Sequence, residues 1–590
     1  MPKYAIHHIV IKEAIKKLLE EKFDWDIVDI ATTLRAYENI AYMGAIGPDI
    51  FFWSNEYTIS KFVPLLTSVK KIFEKYHQMM DKVHEINEYL GNKADETIED
   101  AIGVDGANSL INPVMTFMEQ QIQLINEFAI TLSTVATSRF IFEKGLSPPL
   151  DKPQKEWHWF DMLHYRNTGD FARALINKAT SNEKKAFAFG YLSHIATDVV
   201  GHGYVNQVVG GPYRKNVQRH VVSESFMDSW KFYDYYGENI GQHLAEKLDL
   251  PEHLPETIQE LLIETFEEGY ANFDETERRK FLTRDELKDM YKNFYEILQY
   301  VLTEREDKPP EPPPDFDLIE HIEEYMEDNF SPRPPIEFSA GDGSGGSCSA
   351  KDIFGLGSNS KECYSNFFKN VGAFLESLKA NADWLADSAK KVLEMWGNVG
   401  THLLVQKLLE LLYFFQTLLY NLHRTLRLQM VINGILMPDH KELQSSHTTN
   451  LISPNLCDKY RYPKCRKIVD SHLDCPVSLE TPETHAGFSP TGTDMTPDEF
   501  ITDTPFNIDN LKEYAKCSSI SETHALHDTK KMIGNAVDFT VWMIKTVVKE
   551  TPEDIDLVFT NWNLDADRGY AYKQWKGKIE NDDANIDYIP

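Results

Sequence analysis

Apolar residues recur at intervals of three and four from residue 1 to about residue 305. That spacing is typical of helices that bury one face, whereas the apolar and polar alternation of β-strands is scarce over the same stretch. The pattern therefore predicts an all-α fold, with a multi-helix first domain over residues 1–305.

The pattern stops at residues 306–347, where the stretch "KPPEPPPDFD" is followed by acidic residues and a Gly/Ser-rich tail. Proline clusters cannot continue a helix, and acidic, Gly-rich sequence resists burial. We expect a linker here, with one short helical piece at 318–326, between the first domain and an accessory domain over 348–590.

Helical spacing returns within the accessory domain, with long helices predicted over residues 366–437. Residues 371–396 show a coiled-coil-like seam, which should pair with the apolar segment that begins at Leu403. A loop-rich, cysteine-containing region follows, and the apolar spacing then predicts a late helix at about 529–549. The second half is thus expected to be mostly helical.

A polar stripe interrupts the apolar segment "YLSHIATDVVGHGYV", where His194, Asp198 and His202 stand four residues apart. Each step of four turns only about 40° around a helix, so all three side chains line one face. A buried, unpaired carboxylate costs several kcal/mol. Further on, "RHVVSESFMD" places His220 and Glu224 one turn apart. One such pair alone is usually a solvated face or a core histidine, but five such residues together favour a zinc-type metal site.

These two stretches resemble the core signature of the zinc-dependent phospholipase C and single-strand nuclease superfamily. The resemblance implies an all-α domain that binds a cluster of two or three zinc ions. The ligand positions of the signature fall on His194, Asp198, His202, His220 and Glu224. The tight spacing of the first three is closer to the glycosylphosphatidylinositol-specific phospholipase D branch than to the secreted bacterial phospholipases.

The resemblance also implies ligands from earlier in the chain. The segment "AIHHIVIKEAI" resembles the first helix of the family and offers His8, with His7 as the alternative. The segment "YMGAIGPDIFFW" offers Asp49, both as a ligand and as the general base. The segment "MLHYRNTGDFARALI" offers His164, with His158 as the weaker match.

The activity that the resemblance implies is hydrolysis of a phospholipid phosphodiester, with the surface of a phospholipid membrane as the substrate. The net charge of −32 argues against a protein that coats nucleic acid, because such binding needs clustered Lys and Arg. Two alternatives stay open. One is a nuclease that uses the same metals, and the other is a membrane-acting toxin or pore protein that works through residues 366–437.

The sequence lacks the features of a secretory signal at its start, and no apolar run is long enough to span a bilayer. We therefore expect a cytoplasmic protein, or an effector exported by a specialised secretion system with an immunity, chaperone or delivery partner. All six cysteines lie in the second half without a C-x-x-C pair. Free thiols are expected, with a structural zinc site as the alternative.

Overall fold

The computed structural model describes most of the first 300 residues and seven later stretches of the chain, three of which are no longer than three residues. The described residues are 3–21, 23–55, 63–95, 104–137, 154–209, 217–271, 280–300, 310–312, 376, 379–380, 398–432, 435–439, 502–516 and 533–565. Within these ranges the regular structure is helical, and the one residue in a β-bridge is Trp562. The predicted all-α fold is confirmed.

The helices of the first 300 residues are α1 Tyr4–Leu19, α2 Trp25–Ala36, α3 Glu38–Ile46, a 3-10 helix Gly47–Trp53, α4 Val63–Asp95, α5 Val104–Thr137, α6 Trp159–Tyr165, α7 Thr168–Lys178, α8 Asn182–Val209, α9 Val217–Tyr236, α10 Ile240–Leu248, α11 Glu256–Gly269 and α12 Arg284–Tyr300. The later ones are α13 Asn398–Ile432, α14 Ile508–Lys516, α15 Ala536–Val548 and α16 Ile555–Val558. Helix α15 lies within the range 529–549 that the spacing predicts, and residues 529–532 of that range lie outside the described residues.

The chain forms two compact units, and each is discontinuous in sequence. Unit 1 comprises residues 1–64, 140–306 and 430–590, and unit 2 comprises residues 65–139 and 307–429. Residues after 430 thus share a unit with the first helices, although composition predicts them in a separate accessory domain. Composition detects a proline-rich boundary, but it does not reveal which distant helices share a core.

Several sequence-based expectations concern residues outside the described ranges. The predicted linker 306–347, apart from residues 310–312, lies there with its short helical piece at 318–326. The seam at 371–396 is described only at residues 376, 379 and 380. All six cysteines, and with them the alternative structural zinc site, also lie outside the described residues.

Helix α8 runs through the core of unit 1 and packs against α1, α3, α7, α11 and α15. Its first turn is capped by Ser181, whose Oγ accepts a hydrogen bond from the Lys184 amide at 3.2 Å. Helix α15 packs against both α1 and α8, and it buries Val537, Phe539, Met543 and Ile544. The late helix is therefore part of the same core as α1 and α8.

Helices α3 and α8 approach each other closely through two glycines. A Cβ atom at Gly44 would lie 2.1 Å from the Phe187 carbonyl oxygen, and one at Gly190 would lie 2.2 Å from that of Ala41. Only glycine therefore fits at these two positions. The contact brings the end of α3 beside the middle of α8.

Unit 2 is described through α4, α5 and α13. Its packing centres on His423 of α13, whose ring is fully buried and stacks on Tyr76 of α4 with 4.2 Å between centroids. Phe73 and Phe128 pack edge-on against the same ring. In the part of the chain that the structure describes, no helix is long and apolar enough to cross a membrane.

Candidate metal centre

The polar stripe of α8 lies in the interior of unit 1. The side chains of His194, Asp198 and His202 are fully buried. Nε2 of His194 is 3.1 Å from Oδ2 of Asp198. Since the stripe advances about 6 Å per four residues, His202 reaches a second group of side chains beyond the first. One helix thus contributes to two neighbouring clusters.

Asp49 reaches the first cluster because the chain turns sharply after α3. Gly47 ends that helix with φ +43°, in the left-handed region that favours glycine. The following 3-10 helix then carries Asp49, whose Oδ1 lies 3.5 Å from Nε2 of His164. His164 stands in α6, whereas His158, the weaker match in the sequence, precedes that helix and joins neither cluster.

The first helix contributes His7 to this cluster. Nε2 of His7 lies 3.4 Å from Oδ1 of Asp198 and 3.8 Å from Oδ2 of Asp49. The sequence-based choice was His8, but its Nε2 is 2.6 Å from the Tyr236 hydroxyl, and its ring packs against Tyr42. Successive helix residues differ by about 100° in direction, so only one of two adjacent histidines can face the centre.

The second cluster combines α8, α9 and a late segment of the chain. Nε2 of His220 is 2.8 Å from Oε1 of Glu224, and Nε2 of His202 is 3.9 Å from the same oxygen. Asp565 joins them, with its Oδ1 3.6 Å from Nε2 of His202. Asp565 was not identified from the sequence. It lies in the stretch "NWNLDADRGYAYKQW", whose mixture of Asp and aromatic residues was its only signal.

Among the described residues, the donor atoms group into three sets, and within each set one donor atom per residue lies within 4.8 Å of the others. The sets are His7, His194 and Asp198; Asp49, His164 and His194; and His202, His220 and Asp565. His194 belongs to two of these sets, so the two sets share one histidine. All of these side chains are buried.

The hydrogen bonds of the first cluster suit metal ligands. Nδ1 of His164 donates to the Phe160 carbonyl at 2.6 Å, and Nδ1 of His194 donates to the Ala45 carbonyl at 2.9 Å. Apart from the contacts between these histidines and carboxylates, their Nε2 atoms and both carboxylate oxygens of Asp198 have no hydrogen-bond partner among the described residues. Backbone carbonyls that hold Nδ1–H leave a lone pair on Nε2, as in histidines that bind zinc. These residues therefore fit a bound divalent cation.

Burial and charge set the protonation of the centre. Burial holds the pKa of His7, His202 and His220 below its ordinary range, so these rings are neutral near pH 7. Burial also opposes protonation of His194, but the Asp198 carboxylate outweighs it and raises the pKa of that ring. In turn, His194 more than offsets the effect of burial on Asp198 and keeps the pKa of that carboxyl well below its usual range. The neutral rings of His7, His202 and His220 and the ionised carboxylate of Asp198 are the protonation states that bind a metal.

Asp228 of α9 anchors the helix that carries His7. Its Oδ2 accepts a hydrogen bond from the Ala5 amide at 2.7 Å, within the first turn of α1. An acidic side chain at a helix N-terminus satisfies free amides and interacts favourably with the helix dipole. Despite these bonds, burial raises the pKa of Asp228 to about 7.

Comparison with known families agrees with the chemistry of the site. Residues 140–272 match the family model described as zinc dependent phospholipase C. The resemblance seen in the sequence is confirmed over that range, which includes His164 and the ligand positions on α8 and α9 but not His7, Asp49 or Asp565. No curated protein and no solved structure matches the chain significantly.

Proposed function

We propose that the chain is a zinc-dependent hydrolase that cleaves phospholipid phosphodiesters, with phospholipase C-like activity. The observation that carries this proposal is the first cluster. Two buried carboxylates, Asp49 and Asp198, converge there on histidine Nε2 atoms that have no other hydrogen-bond partner among the described residues. The match of residues 140–272 to a zinc-dependent phospholipase C family supports it.

The three sets of donors would hold two or three zinc ions. His7, Asp49, His164, His194 and Asp198 form the shared first cluster, and His202, His220 and Glu224 belong to the second. When bound, zinc supplies polarisation of the phosphoryl oxygens and activation of a water molecule near neutral pH. The residues around it fix the ligand orientations and keep bulk water out.

Asp49 is the residue that we assign as general base. Its side chain is 7 % exposed, whereas that of His164 is 2 % exposed and those of His7 and Asp198 are 0 % exposed, which supports contact of Asp49 with a water molecule. One carboxylate oxygen faces His164, and the other faces His7. A carboxylate held in this way can orient a water molecule and accept its proton.

An apolar wall lies beside Asp49 and supports a lipid substrate. Phe52 follows three residues later on the same 3-10 helix, is half-buried, and packs edge-on against Phe160 with 5.4 Å between ring centroids. A partly exposed aromatic ring next to the phosphodiester position suits the apolar part of a phospholipid. The strongly acidic chain favours this substrate over nucleic acid.

The test of this function is a hydrolysis assay on phosphatidylcholine vesicles beside single-stranded DNA, with zinc measured in the same preparation. We expect zinc-dependent release of the phosphorylated head group, and a loss of at least about 10²-fold in Asp49→Asn, the range for a lost general base. Asp285→Asn, an exposed carboxylate of α12, is the control and should retain full activity.

Three outcomes would contradict parts of the proposal. If the zinc-loaded wild type leaves phospholipid intact, the assignment of phospholipase activity is wrong. Cleavage of single-stranded DNA in the same assay would establish the nuclease instead. Equal losses in Asp49→Asn and Asp285→Asn would remove the role of Asp49.

A role as a membrane-directed effector or toxin is a separate part of the proposal. Five apolar residues of α13 are buried, which favours core packing over insertion into lipid; they are Leu412, Phe415, Leu419, Leu422 and Leu426. We therefore expect any leakage of liposomes to follow from hydrolysis and to disappear in His194→Ala. Leakage that persists in a folded His194→Ala protein would support the pore-forming alternative.

A further inference from the structure

Residues 559–565 form a late segment of the chain that lies beside the second cluster of the candidate metal centre. Trp562, Asn563 and Leu564 are fully buried, and Asp565 is 3 % exposed. These residues lie more than 300 positions beyond Glu224 in the sequence. Their burial in the core of unit 1 indicates a specific structural role.

Helices α6 and α7 hold this segment through bonds to both its backbone and its side chains. The Leu564 amide donates to the His164 carbonyl at 2.9 Å, and Oγ1 of Thr168 donates to the Trp562 carbonyl at 2.8 Å. Oδ1 of Asn561 accepts from the Gly169 and Asp170 amides at 2.9 and 3.0 Å, and so caps the start of α7. The position of residue 565 is thereby fixed.

The fit extends to the backbone of α7. A Cβ atom at Gly169 would lie 2.1 Å from the Phe559 carbonyl oxygen, so only glycine allows the segment to approach this helix so closely. Arg173 lies over the Phe559 ring and pairs with Asp556 at 2.8 Å. Helix α7 thus packs closely against the late segment.

The hydroxyl of Tyr165 orients the carboxylate of Asp565. Tyr165 donates to Oδ2 at 2.9 Å, while Oδ1 faces Nε2 of His202 at 3.6 Å. A carboxylate that is held through one oxygen and directed toward a histidine through the other is the usual arrangement of an oriented metal ligand.

We propose that Asp565 is a metal ligand that completes the site of His202, His220 and Glu224. Four ligands about 2.0–2.2 Å from a zinc ion in a tetrahedron lie about 3.3–3.6 Å from one another. Glu224 lies 2.8 and 3.9 Å from the two histidines, and Asp565 lies 3.6 Å from His202 and within 4.8 Å of both histidines, so each carboxylate is close enough to share an ion with them. Two neutral imidazoles and two carboxylates also balance the charge of Zn²⁺.

A fourth protein ligand gives this site a role that differs from that of the first cluster. Zinc sites with four protein ligands are closed and structural, whereas catalytic sites keep a position open for water or substrate. The late segment thus closes the second site, and the cluster with Asp49 is left for the reaction. This inference rests on the zinc centre of the proposed function but not on its hydrolytic activity.

The test measures zinc per chain in the full-length protein as a chelator is raised, with Asp565→Asn compared with wild type. We expect one zinc ion to be lost from Asp565→Asn at a chelator concentration at least about 10-fold lower, and a smaller shift for Tyr165→Phe. Asp556→Asn is the matched control, because it removes an exposed carboxylate from the same part of the chain. It should retain zinc as the wild type does.

Zinc retention in Asp565→Asn equal to that of Asp556→Asn would overturn the inference. If Asp565→Asn fails to fold, anomalous diffraction at the zinc edge from wild-type crystals decides. An Asp565 oxygen within about 2.2 Å of a zinc ion supports the inference, and a zinc ion bound at His202 and His220 without Asp565 overturns it. A wild type that binds zinc but hydrolyses no phospholipid would contradict the proposed function alone.

Discussion

The metal centre depends on which nitrogen of each histidine carries the proton. The Ala45 and Phe160 carbonyls hold the Nδ1 protons of His194 and His164, so both rings turn Nε2 toward the carboxylates. These two carbonyls belong to α3 and α6, and backbone atoms of rigid helices thus set the tautomers. The orientation of each ring therefore depends on the position of the backbone carbonyl that accepts its Nδ1 proton.

Adjacent histidines in α1 provide a direct test. His7→Gln should lose zinc from the first cluster, with apparent zinc affinity lowered by at least about 10–100-fold, because Nε2 of His7 faces Asp198 and Asp49. His8→Gln should keep its zinc and lose about 0.5–1.5 kcal/mol of stability, the effect of one hydrogen bond to Tyr236. Zinc analysis and urea unfolding of both variants measure these effects. Loss of zinc in His8→Gln with retention in His7→Gln would restore the choice made from the sequence.

The sequence alone predicts only part of the candidate site. Spacing of four along a helix identifies His194, Asp198 and His202 as one stripe, because helical geometry is local. Spacing cannot separate His7 from His8, since both are buried and only packing decides which one faces the cluster. Asp565 lies outside any helix and approaches His202 through tertiary contacts alone.

Asp228 should give the protein a specific dependence on pH. Its pKa rises from an ordinary value of 3.8 to about 7 on folding, so the folded state holds an extra proton between these values. The free energy of unfolding that this group contributes must then fall as the pH rises through that window, by at most about 4 kcal/mol. Asp228→Asn stays neutral, so its stability relative to wild type should increase from pH 4 to pH 7. Urea unfolding at several pH values measures the difference.

The matched control for this effect is Asp234→Asn, an exposed carboxylate on the same helix. Its stability relative to wild type should not follow the same curve. Parallel pH profiles for wild type and Asp228→Asn would contradict the assignment of the titration to Asp228.

At the scale of elements, the centre is held by the close pairing of α3 and α8. The pairing places the carbonyl of Ala45 at the ring of His194 and starts the turn that presents Asp49. The helices themselves were predictable, because apolar spacing is a local property of the sequence. Their close approach depends on two glycines in different helices, which no single segment reveals.

Gly44→Ala should therefore disturb both stability and metal binding. The new methyl group would meet backbone rather than a flexible side chain, so we expect a loss of about 3 kcal/mol, the upper end for overpacking. The displaced helices should also weaken zinc retention. Gly237→Ala is the control: its Cβ meets nothing within 4 Å, and its positive φ of +71° costs about 1–2 kcal/mol. Zinc retention that is unchanged in Gly44→Ala would show that α3 and α8 tolerate the shift.

At the scale of the whole molecule, unit 1 combines the first helices with residues after 430. Lys17 pairs with Asp538 at 2.6 Å, and Lys549 pairs with Asp24 at 2.5 Å, so charges on α15 and just after it meet α1 and the start of α2. These exposed pairs add little stability, whereas the apolar contacts of α15 add much more. Composition marks the linkers between domains but not the contacts between distant helices. Domain boundaries predicted from composition therefore miss this core.

A fragment of residues 1–305 should consequently fail to form the stable unit. It lacks α15, whose Val537, Phe539, Met543 and Ile544 each stabilise the fold by about 1.5–3 kcal/mol on burial. Together these contributions approach the whole stability of a typical domain. We expect the fragment to bind a hydrophobic dye and to lose zinc, and a second fragment of residues 500–590 to reverse both effects. Cooperative unfolding of the first fragment alone, with full zinc content, would contradict this expectation.

Protein synthesis gives the placement of α15 and residues 559–565 a further consequence. About 340 residues separate Glu224 from Asp565, and translation adds about 5–20 residues per second. His220 and Glu224 therefore leave the ribosome roughly 17–70 s before the segment that packs against His202. Throughout that interval the core of unit 1 is open, and the nascent chain carries an incomplete set of buried donors. The second cluster of the candidate metal centre thus gains Asp565 only after most of the chain has been translated, whereas the donors of the first cluster are all present by residue 198.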